Sequence, residues 1–242
     1  MSDAQEKESE RLATMKAQVY KDPRPKEFFD KYHARVRRAE PNFVYELVRM
    51  TTCLYAWVFF RTRAYDSQKV PYEGPVILAP NHFSFMDHFF TGSGVRRRVQ
   101  FMAKSQLFAG VLQYVYNPGG VFPVRRGVAD EEAFITAHTI LGRGGPIVMY
   151  CEGGRSRTGD LSEKPKRGIG RLALESGAPV VPVAIYGSSK VRNWKHGRFP
   201  KVIVKYGDPI IWDAIADPTR EQQQAVADEI FQRIRALYAT LD

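Results

Sequence analysis

Short apolar runs alternate with helical segments along the chain after residue 66. The runs are rich in β-branched and aromatic residues and are bounded by glycine, proline or charged positions, as buried strands are. They predict strands at residues 76–79, 99–103, 120–124, 147–151, 180–186 and 202–206. Strands that alternate with helices are typical of an α/β domain, in which helices cover a sheet.

Three segments of this region have the spacing of helices. The first follows Asp130, its expected N-cap, and carries apolar residues at Phe134, Ala137 and Leu141. The second covers residues 168–176. The third begins near Thr219, and we expect its apolar stripe to face the core: Val226, Ile230, Ile234, Leu237 and Leu241.

The most apolar stretch, Phe43–Phe60, predicts an amphipathic helix with arginines on both sides of it. Its uninterrupted part, residues 50–60, is shorter than the ~20 residues that a membrane-spanning helix needs. An arc of about 80° on a helical wheel contains Phe43, Leu47, Met50, Leu54 and Trp57. We interpret the stretch as an interfacial helix that docks on a membrane. The alternative is a helix whose apolar stripe covers the core.

Residues 1–40 have mixed charge and predict two helical pieces, separated by Pro23 and Pro25. We divide the chain into an N-terminal helical segment, residues 1–66, and an α/β domain, residues 67–242. The second helical piece is expected to pack on that domain, and a surface for a membrane or partner is the alternative. No secretory signal is expected, because the N-terminus lacks an apolar core.

The formal net charge of +10 indicates attraction to an anionic nucleic acid, lipid surface or phosphorylated substrate. The excess lies inside the predicted fold. Residues 91–127 contain no acid and these six cations: Arg96, Arg97, Arg98, Lys104, Arg125 and Arg126. Two cysteines, Cys53 and Cys151, exclude a disulfide framework and are compatible with a reducing cytosol. We interpret Cys151 as a small buried residue, and a nucleophile is the alternative.

A histidine and a carboxylate, His82 and Asp87, stand five positions apart just after the first predicted strand. On one helix they would differ by roughly 140° and could not share a face. A strand-to-helix turn with Ser84 as N-cap would instead let the carboxylate reach the imidazole and fix its tautomer, as a general base requires. A buried structural histidine is the alternative. A metal site formed by His82, Asp87 and His88 is a weaker alternative, because these residues do not have a recognised spacing of metal ligands.

Two glycine-containing cationic stretches lie at the carboxyl ends of later predicted strands: residues 119–127 contain one such strand and its end, and residues 152–160 follow another. In open α/β sheets, ligands bind at the carboxyl edge of the strands, and an arginine can grip phosphate bidentately. The second loop and the stretch after it contain Arg155, Ser156, Lys164, Lys166 and Arg167. We expect an anion pocket here, with simple surface solvation as the alternative.

Four blocks, residues 81–87, 120–126, 152–156 and 181–183, match the motifs of the glycerophospholipid acyltransferase family in order and spacing. The chain resembles this family over roughly residues 70–210, and within it the PlsC type of 1-acylglycerol-3-phosphate acyltransferase. The resemblance implies a mixed central sheet flanked by helices. Two positions depart from the family pattern: Gly154 replaces a threonine, and Arg125 replaces an acid.

The resemblance also implies the roles of individual residues. His82 matches the catalytic histidine and Asp87 the aspartate that orients it. Pro182 matches the fourth motif. The predicted substrate-binding residues are Arg126, Glu152, Gly153, Arg155, Ser156, Lys166 and Lys104.

The implied reaction moves an acyl group from acyl-CoA or acyl carrier protein to lysophosphatidic acid and gives phosphatidic acid. Neutral His82 would remove the proton from a glycerol hydroxyl while that oxygen attacks the thioester. We expect no cofactor and no metal. The expected partners are the lysolipid, the acyl donor and an anionic membrane surface, and no nucleic acid. The expected location is the cytoplasmic face of the cell membrane, as a peripheral or monotopic protein.

Three other functions remain as alternatives. The acceptor could be another lysophospholipid. A lipid hydrolase would need a nucleophile, but no GxSxG sequence occurs and Ser84 is close in sequence to His82. A basic nucleic-acid-binding module would explain the charge, although not its position beside glycines at strand ends.

Overall fold

A computed structural model describes residues 22–156, 158–191, 197 and 199–241. Within these residues, seven strands form one sheet in the order β1-β7-β6-β2-β5-β3-β4. Their bounds are β1 Arg63–Tyr65, β2 Val76–Pro80, β3 Gln100–Lys104, β4 Val121–Val124, β5 Pro146–Val148, β6 Val180–Tyr186 and β7 Ile203–Tyr206. Neighbouring strands are parallel except for β6 and β7, which are antiparallel. The predicted mixed sheet is therefore confirmed.

The helices of the described residues lie before, between and after these strands. They are α1 Asp30–Arg38, α2 Phe43–Phe60, α3 Asp87–Ser93, α4 Gln113–Tyr116, α5 Glu131–Gly142, α6 Gly168–Ser176 and α7 Arg220–Ala239. Single 3-10 turns precede α1 and follow β1 and β3, at Lys26–Phe29, Ser67–Lys69 and Ser105–Leu107.

All six predicted strands are present, with changes at their ends. The largest change is at residues 147–151, where β5 ends at Val148 and the chain turns, with Gly153 N–H donating to the Tyr150 carbonyl at 3.1 Å. Tyr150 thus lies in a loop. Strand β1 was not predicted, because its three residues are all exposed and carry no alternating pattern.

Two predicted helix caps have different outcomes. Thr219 caps α7 with a reciprocal capping box, in which its side chain accepts from Gln222 N–H. The Asp130 side chain does not cap α5. Its carboxylate instead accepts the Arg125 backbone N–H at 2.6 Å, because the preceding loop folds back onto it.

Helices cover both faces of the sheet. Alternate residues of β2 point to opposite sides, as the pleat of a strand requires. Ile77 and Ala79 pack with α1, α5, α6 and α7, and Val76 and Leu78 pack with α2 and α3. Val226, Ile230 and Ile234 of the predicted α7 stripe are buried in the same core as Ile77 and Ala79.

Helix α2 buries one side and exposes the other. Tyr45, Ala56 and Phe60 are buried against the domain. The predicted apolar stripe is on the outside, and its exposed fractions run from 53% at Leu47 to 74% at Phe43. The interpretation of that stripe as a cover for the core is therefore wrong.

The second N-terminal helical piece packs on the domain. Phe29 and Tyr32 form a small core with Ala103 and Phe108, and Val36 reaches the core of α5 to α7. The first piece lies outside the described residues. The division of the chain at residue 66 stays a prediction.

Helices α6 and α7 approach each other closely at Gly170. A Cβ atom at this position would lie 1.9 Å from the Gln223 carbonyl oxygen, a backbone atom that cannot rotate away. Gly170→Ala should therefore push the helices apart and lower the free energy of unfolding by about 3 kcal/mol. Urea unfolding followed by circular dichroism measures the change.

Gly142→Ala is the matched control, because it also lies in a helix and its Cβ would meet nothing within 4 Å. It should leave the unfolding free energy unchanged or raise it by up to about 1 kcal/mol. Equal stabilities for the two variants would contradict the packing at Gly170.

Candidate active site

Four parallel strands bring the predicted site residues to one edge of the sheet. Strands β2, β5, β3 and β4 are neighbours and run in the same direction, so their carboxyl ends meet. Lys104 ends β3, and the chain segments after β2, β4 and β5 carry His82, Arg126 and Arg155. All four residues line one cavity.

The turn after β2 is fixed to the middle of the sheet by Asn81. Its side-chain amide donates to the Ile185 carbonyl at 3.1 Å, and its carbonyl oxygen accepts Ile185 N–H at 2.7 Å. Asn81 therefore replaces the strand pairing that ends at Pro80. The next residue, His82, is held at the carboxyl edge as a result.

The carboxylate of Asp87 organises this turn. Its Oδ2 lies 2.9 Å from His82 Nδ1 and also accepts the backbone N–H groups of Phe83 and Ser84, each at 2.7 Å. The predicted contact between Asp87 and His82 is confirmed. A carboxylate at Nδ1 selects the Nδ1–H tautomer, so the basic lone pair is on Nε2.

Ser84 does not cap the helix as predicted. Helix α3 begins at Asp87 with Met86 in the cap position, and Met86 has no side-chain capping bond. Ser84 Oγ instead accepts Met86 N–H at 3.2 Å within the turn. The difference arises because the Ser84 hydroxyl is used in this local turn and does not reach a backbone N–H of the helix.

Glu152 holds the backbone of His82 from the other side. Its Oε1 accepts His82 N–H at 2.7 Å, while Oε2 accepts the backbone and hydroxyl groups of Ser162. Ser156 N–H donates to the His82 carbonyl at 2.8 Å. Burial raises the pKa of Glu152. These contacts make Glu152 and Ser156 supports for His82, and their predicted contact with substrate stays a prediction.

The remaining predicted binding residues divide into two groups. Arg126, Arg155 and Lys104 line the cavity, where burial and the two arginines lower the pKa of Lys104. Gly153 and Lys166 lie beside each other after β5: Gly153 has a φ of +64°, and a Cβ atom there would lie 2.9 Å from Lys166 Cγ. Among the described residues, they are outside the lining of the cavity.

The cavity has a volume of about 530 Å³ and extends from His82 to the inner side of α2. Most of its wall is apolar or aromatic. The wall includes Val48, Phe89, Phe101, Leu112, Val115 and Val121. The contribution of residues 107–116 was not predicted, because this apolar stretch has neither strand alternation nor a long helical repeat.

His82 is neutral under ordinary conditions. Burial is the largest cause that lowers its pKa, the hydrogen bond to Asp87 opposes that effect, and the charges of Arg155 and Arg126 add to it. A general base must be unprotonated before the reaction, so this environment suits one. Among the described residues, no group of three or more His, Cys, Asp or Glu side chains is placed to hold a metal ion.

A buried His–Asp pair beside three cations, at the edge of a mixed α/β sheet, is typical of an enzyme active site. Comparisons with known proteins identify the family of this chain. A model of the Acyltransferase family matches residues 61–186, more than half of the chain. The chain therefore belongs to the Acyltransferase family. The resemblance to glycerophospholipid acyltransferases of the PlsC type, inferred above from four motifs, is confirmed.

Two plant proteins are among its relatives. The chain is 25% identical over 167 residues to the chloroplastic 1-acyl-sn-glycerol-3-phosphate acyltransferase BAT2 of Brassica napus, covering 67% of this chain and 46% of that protein. It is 22% identical over 154 residues to the chloroplastic 1-acyl-sn-glycerol-3-phosphate acyltransferase LPAT1 of Arabidopsis thaliana, covering 62% and 43%.

A bacterial enzyme and a solved structure are also similar. A glycerol-3-phosphate acyltransferase of Pseudomonas fluorescens is 27% identical over 168 residues, or 60% of this chain and 20% of that protein. The chain thus spans less than half the length of these relatives. The crystal structure of the 1-acyl-sn-glycerophosphate acyltransferase PlsC from Thermotoga maritima has the same fold, with a TM-score of 0.58 and 19% identity over 98% of this chain and 90% of that one.

The charge of Arg155 should be measurable at His82. Because Arg155 helps to lower the pKa of His82, Arg155→Gln removes a repulsion and should raise that pKa. The protonation of His82 would then begin at a higher pH. NMR titration of the histidine ring signals measures the pKa without any substrate.

Arg125→Gln is the matched control, since Arg125 lies beside Arg126 in sequence but pairs with Asp130, with 3.8 Å between Nε and Oδ2. It should leave the His82 titration unchanged. A shift of equal size in both variants would contradict the specific effect of Arg155.

Proposed function

We propose that this protein transfers a fatty acyl group from an acyl thioester to the free hydroxyl of 1-acylglycerol-3-phosphate, which gives phosphatidic acid. One observation carries the proposal: a neutral histidine held by Asp87 lies at the junction of a cationic cluster and an apolar cavity. A lysolipid phosphate has the same division into a charged headgroup and an apolar chain.

In the proposed mechanism, His82 Nε2 removes the proton from the acceptor hydroxyl as that oxygen attacks the thioester carbonyl. The tetrahedral intermediate then collapses, the new ester forms and the C–S bond breaks. His82 returns its proton to the leaving sulfur, which departs as a thiol. No acyl-enzyme is needed, because a thioester is already activated and the protein must mainly position the two substrates.

The cations and the cavity have separate tasks in this mechanism. Arg126, Arg155 and Lys104 would bind the phosphate, and bidentate hydrogen bonds from arginine would fix its orientation. The apolar wall would hold an acyl chain, and about 530 Å³ is within the usual range of ligand pockets. The donor would be acyl-CoA or acyl carrier protein, a co-substrate and not a resident cofactor.

The local structure gives less support to a hydrolase. Cys151 is fully buried, and burial raises its pKa, so its thiol is protonated and inaccessible. Ser84 is also buried, with its hydroxyl bound to Met86 N–H. Neither side chain is placed as an activated nucleophile. The names of the bacterial relatives do add glycerol 3-phosphate as a second candidate acceptor.

We also propose that the protein docks on a membrane through two exposed apolar segments. The first is the outer stripe of α2, and α2 is the one helix among the described residues long and apolar enough to cross a membrane. The second is the segment 111–115, where Val111 and Tyr114 are 78% and 74% exposed. Exposed apolar surface of this extent is typical of an interaction site.

Helix α2, through its inner side, and the second segment border the same cavity, which favours a membrane as the contact of their exposed sides. Val48 and Thr52 of α2 and Leu112 and Val115 of the second segment are part of its wall. A lipid could thus pass between the two segments without its chain entering water. Arg61 and Arg63 at the end of α2 are exposed and suit anionic headgroups. The docked membrane would be the cytoplasmic face of the cell membrane.

The acyl transfer itself should depend on His82 and Asp87. His82→Ala removes the base and should lower kcat by about 10²–10⁴-fold. Asp87→Asn should lower it by about 10²-fold or more, because an amide no longer selects the basic tautomer. Purified protein would be given 1-acylglycerol-3-phosphate, glycerol 3-phosphate or other lysophospholipids with each donor, and products would be identified by mass.

His138→Ala is the control for a histidine outside the cavity, since His138 pairs with Glu175 on α6. It should keep wild-type activity. Full activity of His82→Ala would remove the base assignment, and release of free fatty acid without an acceptor would favour a hydrolase.

Vesicle binding should depend on each exposed segment. Leu47→Ser with Leu54→Ser, and separately Val111→Ser with Tyr114→Ser, should each weaken binding to anionic lipid vesicles by about tenfold or more, because less apolar area enters the bilayer. Flotation or sedimentation with vesicles measures the affinity.

Tyr72→Ser with Ile211→Ser is the matched control, since these residues are 71% and 66% exposed but lie outside both α2 and the segment 111–115. This variant should bind as the wild type does. An equal loss in all three double variants would indicate nonspecific adhesion and overturn the proposed docking surface.

A further inference from the structure

A tyrosine covers one face of the His82 ring. The rings of His82 and Tyr150 are stacked, with centroids 4.0 Å apart and planes inclined by 24°. Tyr150 comes from the loop after β5, and His82 from the turn after β2. The contact therefore joins two strand ends of the site, and it is separate from the in-plane bond between His82 and Asp87.

The tyrosine is itself held in place by His88. Tyr150 Oη lies 2.7 Å from His88 Nδ1, and the two rings meet edge to face with centroids 5.1 Å apart. Phe101 of β3 packs edge to face on the other ring, that of His88, at 5.6 Å. This succession of rings gives Tyr150 little freedom to turn away from His82.

The stacked face has an electrostatic effect that depends on the proton. The π face of an aromatic ring carries partial negative charge and attracts a cation, and this attraction strengthens where water is excluded. A neutral imidazole gains little from that face, whereas an imidazolium gains more. Such a contact stabilises the protonated state that a general base reaches in the transition state.

We propose that Tyr150 is a positioning residue for His82, and that the edge-to-face packing of its ring with His88 keeps Tyr150 in its stacked orientation. The proposal rests on the proposed function for its kinetic consequence, but the stacking effect on His82 does not require a substrate. Asp87 would fix the imidazole in its plane, and Tyr150 would fix it from above. Together they would leave Nε2 one direction in which to accept a proton.

Other charged groups around His82 set the background for this effect. Asp87 favours its protonated form, and Arg126 and Arg155 oppose it. Glu152 is bound to its backbone N–H. His88 stays neutral in ordinary conditions, because burial is the main cause that lowers its pKa to about 3. The titration of His82, whose pKa burial also lowers, is therefore followed below neutrality on its own assigned ring signals.

Tyr150→Leu tests the proposal, because leucine keeps the site apolar but has no π face. The pKa of His82 should fall by about 0.5–1, as expected for the loss of a cation–π contact. The acid limb of the pH–rate profile should move down by the same amount. We expect kcat to fall about tenfold and KM to stay within about twofold, since Tyr150 is part of the cavity wall and leucine keeps that wall apolar.

Tyr150→Phe is the conservative variant, because it keeps the ring and removes the bond to His88. It should keep the His82 pKa within about 0.3 of the wild type and lose at most about threefold in kcat. Tyr150→Met replaces the leucine variant if that one does not fold, with the same expected shifts. Histidine NMR titration and pH–rate profiles supply the two readouts.

A leucine or methionine variant with the wild-type His82 pKa and kcat would overturn the proposal, as would a change in KM alone. Equal loss of kcat in the phenylalanine and leucine variants, with no change in pKa, would also overturn it, because the hydroxyl would then carry the effect. An inactive wild-type protein would refute the proposed function instead, and the NMR titration would still decide the stacking effect.

Discussion

The bond between Asp87 and His82 is the contact on which the rest of the site depends. A fully buried carboxylate is costly unless several donors compensate it, and Oδ2 of Asp87 has three. Two of them are backbone N–H groups of the turn that carries His82. The same carboxylate therefore shapes the turn and orients the imidazole, so the position of His82 does not depend on side-chain packing alone.

The electrostatics of His82 are a balance between three influences. Burial and two arginines favour the neutral ring, and Asp87 favours the charged one. Because burial is the largest of these, the ring is uncharged before a substrate arrives. The cations that would bind a phosphate thus also keep the nearby base free of a proton, and an anionic substrate would reduce their repulsion toward a developing imidazolium.

The sequence was sufficient for much of the sheet and for the contact between His82 and Asp87. Short apolar runs between glycine and proline predict buried strands well, because burial on both faces leaves a continuous apolar signal. Strand β1 has no such signal, since it is an exposed edge strand. Asp130 and Ser84 follow the local rules for helix caps, yet both side chains make other contacts in the folded loops.

Strand patterns and helix-cap rules use neighbouring residues only, so they could not predict contacts between distant segments. Tyr150 and His88 are 62 positions apart, and no spacing pattern connects them. The residues 111–115 become a border of the cavity only because β3 and β4 place them near α2. Glu152 was predicted to bind substrate from its motif, whereas its contacts with His82 and Ser162 appear only in the folded chain.

Helix α2 has one side in the protein and one side outside it, and this has a practical consequence. Ala56 and Phe60 are parts of the same core as Leu78 and Phe90, and Val48 and Thr52 form a wall of the cavity. Deleting the helix to obtain a water-soluble fragment would uncover that core and open the cavity. Solubility must therefore be engineered by changing the outer side chains one at a time, with the helix left in place.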